Sequence, residues 1–142
     1  MTTETHRPNR PVLIAGGLIS GAGIAAWVAL WWFTDAWQKA APKTPAGDAV
    51  YAHANHGITY FTATQATAAN LEWPLWLSVL AGIVLANLAY GRYAFRSKLM
   101  NTANSPLIPA QLVGAAVAIA VIFFFGHAIL AALSHTRFGP HG

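Results

Sequence analysis

Residues 108–134 read IPAQLVGAAVAIAVIFFFGHAILAALS and contain no Asp, Glu, Lys or Arg. At about 1.5 Å of rise per residue, such a helix is long enough to cross a hydrocarbon core of roughly 30 Å with length to spare. This stretch decides the fold class: it is read as a transmembrane helix, in a chain organised around the bilayer. It also holds His127, the one imidazole inside an expected span, directly after Phe123, Phe124, Phe125 and Gly126.

The totals agree with that reading. Of 142 residues, 56% are hydrophobic and 8% charged, with a mean hydropathy of +0.45, whereas soluble domains carry about 25% charged residues. Eight Lys+Arg against four Asp+Glu leave a formal charge of +4. In a membrane chain such an excess sorts to one side of the bilayer and sets orientation, so no nucleic acid is expected as a partner. The chain has no cysteine, which removes disulfides, thiolate catalysis, iron–sulfur clusters and cysteine zinc sites. Histidine remains available for haem, chlorophyll or copper.

Upstream, residues 11–34 form the first expected span. Gly17, Gly21, Ala25 and Ala29 recur every fourth residue, a spacing that lets two membrane helices bring their backbones together. Trp27, Trp31, Trp32 and Trp37 form an aromatic belt, and Asp35 marks the exit into water. The run exceeds the 7–15 residues of a signal-peptide core and lacks a small-residue cleavage site, so it reads as a retained anchor. Residues 35–72 form a long polar loop, irregular through Pro42, Pro45 and Gly47. After Gly57 it offers a short surface helix, although ITYF (58–61) also fits an extended piece. Such a loop is expected to lie on a partner's surface.

The second span, 73–95, opens on Trp73, Pro74 and Trp76, carries Gly82, Ala86 and Ala89 on a small face, and places Asn87 well inside, where its amide needs a partner. A short connection (96–107) makes the second and third helices antiparallel neighbours. The tail (135–142), SHTRFGPHG with Ser134, is expected to lack fixed structure. The expectation is therefore an all-α integral membrane protein of three transmembrane helices: a first tail (1–10), spans 11–34, 73–95 and 108–134, and the loops between them. Arg7 and Arg10, with Arg92, Arg96 and Lys98, place the N-terminus and the 96–107 loop in the cytoplasm. The 35–72 loop and the C-terminal tail, with Lys39, Lys43 and Arg137, then lie outside. The expected location is the inner membrane of a bacterium, with the long loop periplasmic.

Two sets of residues carry possible chemistry. His127, about 9 Å from the outer end of its helix by rise, suits a ligand to haem iron or chlorophyll magnesium, or a hydrogen bond to a quinone, with Gly126 leaving room for a ring. His53 and His56 form H-x-x-H, which on one helical turn would share a face and begin a copper or zinc site, completed by Asp48, Glu72, His135 or His141. Apart from Arg92 near the end of the second, no expected span contains a charged residue, and no phosphate loop, nucleophile elbow or pair of carboxylates occurs. No catalytic residue is therefore expected, and the chain is not expected to be an enzyme.

These features favour a non-catalytic accessory or anchoring subunit of a multi-subunit, energy-converting membrane complex, respiratory or photosynthetic. Its partners would be larger integral membrane subunits and lipids, and it would help to enclose quinone, haem b or (bacterio)chlorophyll. Gly17, Gly21, Ala25 and Ala29, with Gly82, Ala86 and Asn87, would form its packing face. In span number and expected orientation the chain resembles the anchor subunits of succinate dehydrogenase and fumarate reductase. That topology implies a membrane anchor, although the second span lacks the haem histidine such anchors commonly carry. The alternatives are a haem- or pigment-ligating anchor using His127, and a small metal-handling protein using His53 and His56.

Overall fold

The computed structural model describes residues 9–90 and 106–140. In chain order the elements are α1 (Arg10–Ala40), β1 (Tyr51–Ala54), β2 (Ile58–Phe61), α2 (Ala63–Asn70), α3 (Glu72–Tyr90) and α4 (Leu107–Leu133). Among the described residues, three helical stretches are long and apolar enough to cross a membrane: Arg10–Ala40, Ala63–Ala89 and Leu107–Leu133. The chain is thus mostly helical and fits a multi-pass membrane protein. Arg7, Arg92, Arg96 and Lys98, on which the expected orientation leans, lie outside the described residues, as does His141.

The helical stretches contribute to two compact units. The first comprises residues 1–25 and 76–118. Asn9 starts α1 by accepting the Val12 N–H on its side chain (3.4 Å) and the Leu13 N–H on its carbonyl (3.0 Å), as an N-cap residue does. Its own N–H donates to the Ala89 carbonyl at 2.9 Å, which pins the start of α1 to α3. Leu13, Ala86, Ala89 and Leu107 are buried together, with Val12 packed against them.

Beyond this point α1 touches its neighbours through small residues on two adjoining rows. Gly16, Ser20 and Gly23 face α3. A Cβ added at Gly16 would lie 2.6 Å from the Ala86 nitrogen and 2.7 Å from the Gly82 oxygen, and one at Gly23 would lie 2.6 Å from Ser78 Oγ. Gly17 and Gly21 face α4. A Cβ at Gly17 would meet Ala110 Cβ at 2.7 Å, and one at Gly21 would run into the Gln111 backbone. Gly114 of α4 is packed as tightly against the Leu18 carbonyl. Between the two rows, buried Ser20 donates to the Gly17 carbonyl and accepts from Gln111 Nε2, both at 3.2 Å.

This arrangement differs from the four-residue stripe read in the sequence. Ala25 and Ala29 are only half-buried, whereas Gly16, Ser20 and Gly23 are buried on a row displaced by one residue. The close contacts of Gly17 and Gly21 are made by the chain's own α4, and those of Gly82 and Ala86 by α1.

The second unit comprises residues 26–75 and 119–142. Here α1 runs past Thr34 to Ala40, carrying an exposed Asp35–Lys39 pair at 2.6 Å (i,i+4), and Pro42 follows its end. Beyond the stretch that holds Pro42, Pro45 and Gly47, the loop takes up regular structure, with ITYF extended and a short helix after it. β1 and β2 form an antiparallel hairpin with Tyr51 opposite Phe61 and His53 opposite Thr59. The Tyr60 N–H adds a bond to the Pro42 carbonyl at 3.0 Å. Thr62 then starts α2 with a capping box: its hydroxyl accepts from the Gln65 N–H, and Gln65 Oε1 accepts from the Thr62 N–H, two orphan donors satisfied reciprocally. A single turn residue, Leu71, separates α2 from α3, whose first turn contains Glu72 and Pro74, both favourable there.

The tail also departs from expectation. Residues 134–139 fold into consecutive turns, Gly139 is buried against the Ser134 backbone, and Asn70 Nδ2 donates to the Phe138 carbonyl at 3.0 Å. This bond holds the C-terminal tail at the same end of the unit as α2.

Gly21→Ala drives a methyl into the Gln111 backbone and is expected to destabilise the packed helices by about 1–3 kcal/mol. Gly126→Ala, where a Cβ meets only Ile122 Cγ2 at 3.6 Å, is expected to leave stability unchanged. Thermal unfolding of the two variants in the same detergent separates these outcomes.

Candidate functional site

The second unit contains a cleft of roughly 380 Å³, within the range of small-molecule sites. One wall is a single stripe of α1, formed by Trp27, Leu30, Trp31, Thr34 and Asp35, at the i, i+3, i+4, i+7 and i+8 positions that share a helix face. The second wall is the hairpin tip, with His53, Asn55 and His56. Ala69 of α2 and Glu72 at the start of α3 close the third.

His53 belongs to β1, where its inward position follows from strand alternation. Its ring stacks on fully buried Phe61, with centroids 4.5 Å apart and planes 12° from parallel. Its Nε2 is enclosed with no hydrogen-bond partner among the described residues. Burial disfavours the charged ring and lowers the His53 pKa from its ordinary 6.5, partly opposed by the Glu72 carboxylate. Burial therefore favours the neutral imidazole.

His56 is set by a different constraint. It takes φ 55° at the tip of the hairpin, followed by Gly57 at φ 124°. Both angles are what a tight reversal demands, and His is among the residues that tolerate the left-handed region. H-x-x-H therefore lies on a strand and its turn, and the helical turn expected from the spacing does not form. The two histidines still line one cleft, together with Glu72. Asp48 and His135 are not among its lining residues. Among the described residues, no three His, Asp or Glu side chains converge on a metal-binding position.

His127 lies apart from this cleft, exposed on α4 and without a hydrogen bond to another described residue. Phe123, Phe124 and Phe125 before it are 83%, 74% and 61% exposed. Gly126 has only Ile122 near it, so a flat ring could approach the backbone there. Asn87 is half-buried on α3, with Oδ1 enclosed and unbonded among the described residues. Ser20 and Gln111 were missed in the sequence because a serine and a glutamine in apolar surroundings show no pairing until the helices are docked. The cleft-lining stripe of α1 was hidden because its tryptophans read simply as a membrane-surface belt.

The His53 environment has a measurable consequence. The folded chain resists protonating His53 more than the unfolded chain does, so its contribution to stability is complete above pH 6.5 and is lost as pH falls below it towards the folded midpoint. The His53 ring proton resonances are expected to titrate with a midpoint below 6.5, and lower still in Glu72→Gln, which removes the opposing carboxylate. A midpoint that rises in Glu72→Gln contradicts this account.

No protein-family model, no curated protein and no solved structure matches the chain.

Proposed function

We propose that the chain is a non-catalytic accessory or anchoring subunit of a bacterial multi-subunit, energy-converting complex of the inner membrane, respiratory or photosynthetic. The observation that carries this reading is the surface around His127. On α4 the exposed imidazole shares a helix face with the exposed rings of Phe123 and Phe124, four and three residues before it. In hydrocarbon a polar ring without a partner is unfavourable, and intramembrane polar side chains ordinarily meet another helix, a cofactor or water. Here the described residues do not supply a hydrogen-bond partner. A larger integral subunit packed on this face supplies it directly, or through a group held between the two chains.

The charge distribution supports the same reading. No Asp, Glu, Lys or Arg falls between Pro11 and Thr34 or between Leu107 and Ser134, so these segments offer no ion pathway or proton relay of their own. A subunit that positions a neighbour needs neither. The second reading, that His127 ligates haem or a pigment at this interface, draws on the open space beside Gly126, which accommodates a planar macrocycle.

The test is purification of the tagged chain from its native membrane in mild detergent, with the co-purifying polypeptides and the visible spectrum recorded together. The expected result is a stoichiometric larger particle, with a photo-crosslinker at Phe124 joining this chain to one neighbour. Loss of a Soret or pigment band in His127→Leu, with the particle intact, moves the assignment to the ligand reading. A colourless particle made of this chain alone overturns both.

A further inference from the structure

We propose that the cleft between α1, the hairpin tip and the α2–α3 junction binds an organic ammonium group. Three observations lead there, none of them part of the subunit reading.

The first is charge. The chain is basic, with eight Lys+Arg against four Asp+Glu, yet Asp35 and Glu72 both line this cleft and no Lys or Arg does. The Asp35 carboxylate is already paired at 2.6 Å to exposed Lys39, one turn further along the same stripe of α1. Glu72 has no salt bridge among the described residues. His53, the nearest candidate to compensate it, is driven towards its neutral form by burial. The cleft therefore carries net negative charge in a positively charged protein, and its ligand is a cation.

The second is the kind of cation. A metal ion needs several hard or imidazole ligands converging at about 2 Å, and no such group of three forms among the described residues. A cavity of roughly 380 Å³ is also far larger than a bare ion. Trp27 and Trp31 supply aromatic walls in its place, and indole rings with a nearby carboxylate are the chemistry that recognises alkylammonium groups.

The third is position. The cleft begins on the apolar part of α1, at Trp27 and Leu30, and ends at Asp35, where the hydrophobic run stops. A ligand seated here has its cationic head against Glu72 and its apolar body along Leu30 and Trp27. Two sources present that chemistry at a membrane surface: the headgroup of a phosphatidylcholine or phosphatidylethanolamine lipid, and a free hydrophobic amine. Asn55, also in the lining, is a hydrogen-bonding group available to the remainder of either.

The experiment uses the full chain in phosphatidylglycerol nanodiscs, where no lipid carries an ammonium group. Tetramethylammonium chloride is titrated against sodium chloride at matched ionic strength, and the indole and imidazole proton resonances of Trp27, Trp31, His53 and His56 are followed. A saturable shift confined to the tetramethylammonium titration is expected, weakened at least about tenfold in Glu72→Gln and in Trp31→Leu. Both variants are checked by circular dichroism for retained helix, and the two together guard against one failing to fold.

Repeating the titration in phosphatidylcholine and in phosphatidylethanolamine nanodiscs distinguishes the sources. If the lipid fills the site, the tetramethylammonium response disappears in either disc. If it persists in both, the ligand is a free amine. The absence of a saturable response in phosphatidylglycerol, or Glu72→Gln binding as tightly as the parent, overturns the proposal. So does a response to zinc with none to tetramethylammonium. Each of these failures leaves the subunit reading standing, because that reading rests on α4.

Discussion

The first compact unit depends on backbones coming closer than ordinary side chains allow. Hydrocarbon solvates Leu and Ile as well as a protein interior does, so helices in a membrane gain little from hiding apolar residues and must gain from close contact and interhelical hydrogen bonds. α1 meets that requirement twice, through Gly16 and Gly23 against α3 and through Gly17 and Gly21 against α4. Ser20 stands between the rows and receives the amide of Gln111. Leu13, Ala86, Ala89 and Leu107 fill what little volume is left. The centre of this unit is therefore made from absent side chains more than from present ones.

The loop region follows different rules. Pro42 follows the end of α1, the reversal at His56 and Gly57 closes a short hairpin, and Thr62 with Gln65 begins α2. Its buried residues are Ala49, Thr59, Phe61, Thr67 and Ala68, a modest interior stabilised by hydrogen bonds and the His53–Phe61 stack. The same turn that satisfies the hairpin brings His53 and His56 to one cleft, so local backbone geometry has gathered side chains that sequence spacing would have grouped for another reason.

Long apolar runs without charge announce membrane-crossing length directly, which is why the three helical stretches were legible. The small-residue contacts were half legible. A repeat of four picks out Gly17 and Gly21, but a helix in contact with two neighbours uses two rows, and Gly16, Ser20 and Gly23 fall outside any single repeat. The T-x-x-Q at Thr62–Gln65 is a recognisable helix start that was available in the sequence and went unread. The hairpin was half legible: ITYF fits an extended piece, but its partner YAHA is a four-residue strand too short for alternation to stand out. The cleft was least legible, because it joins Trp31, His53 and Glu72 across a loop whose path no periodicity describes. The tail was misread because a polar terminal segment normally frays, while here Asn70 and the turns after Leu133 hold it.

The two glycine rows of α1 also bear on how such a chain changes over generations. At Gly16, Gly17, Gly21 and Gly23 nearly every substitution inserts atoms where a backbone or a packed side chain already stands. At exposed Ile24, Val28, Leu80, Val84, Leu112 and Val117, the surroundings ask only for an apolar side chain, and one serves as well as another. Drift therefore runs freely over most of the helical surface and is stopped at a few positions with no side chain to compare. Two descendants could keep this packing while sharing little beyond scattered glycines and hydrophobicity, a likeness far easier to recognise in space than in letters.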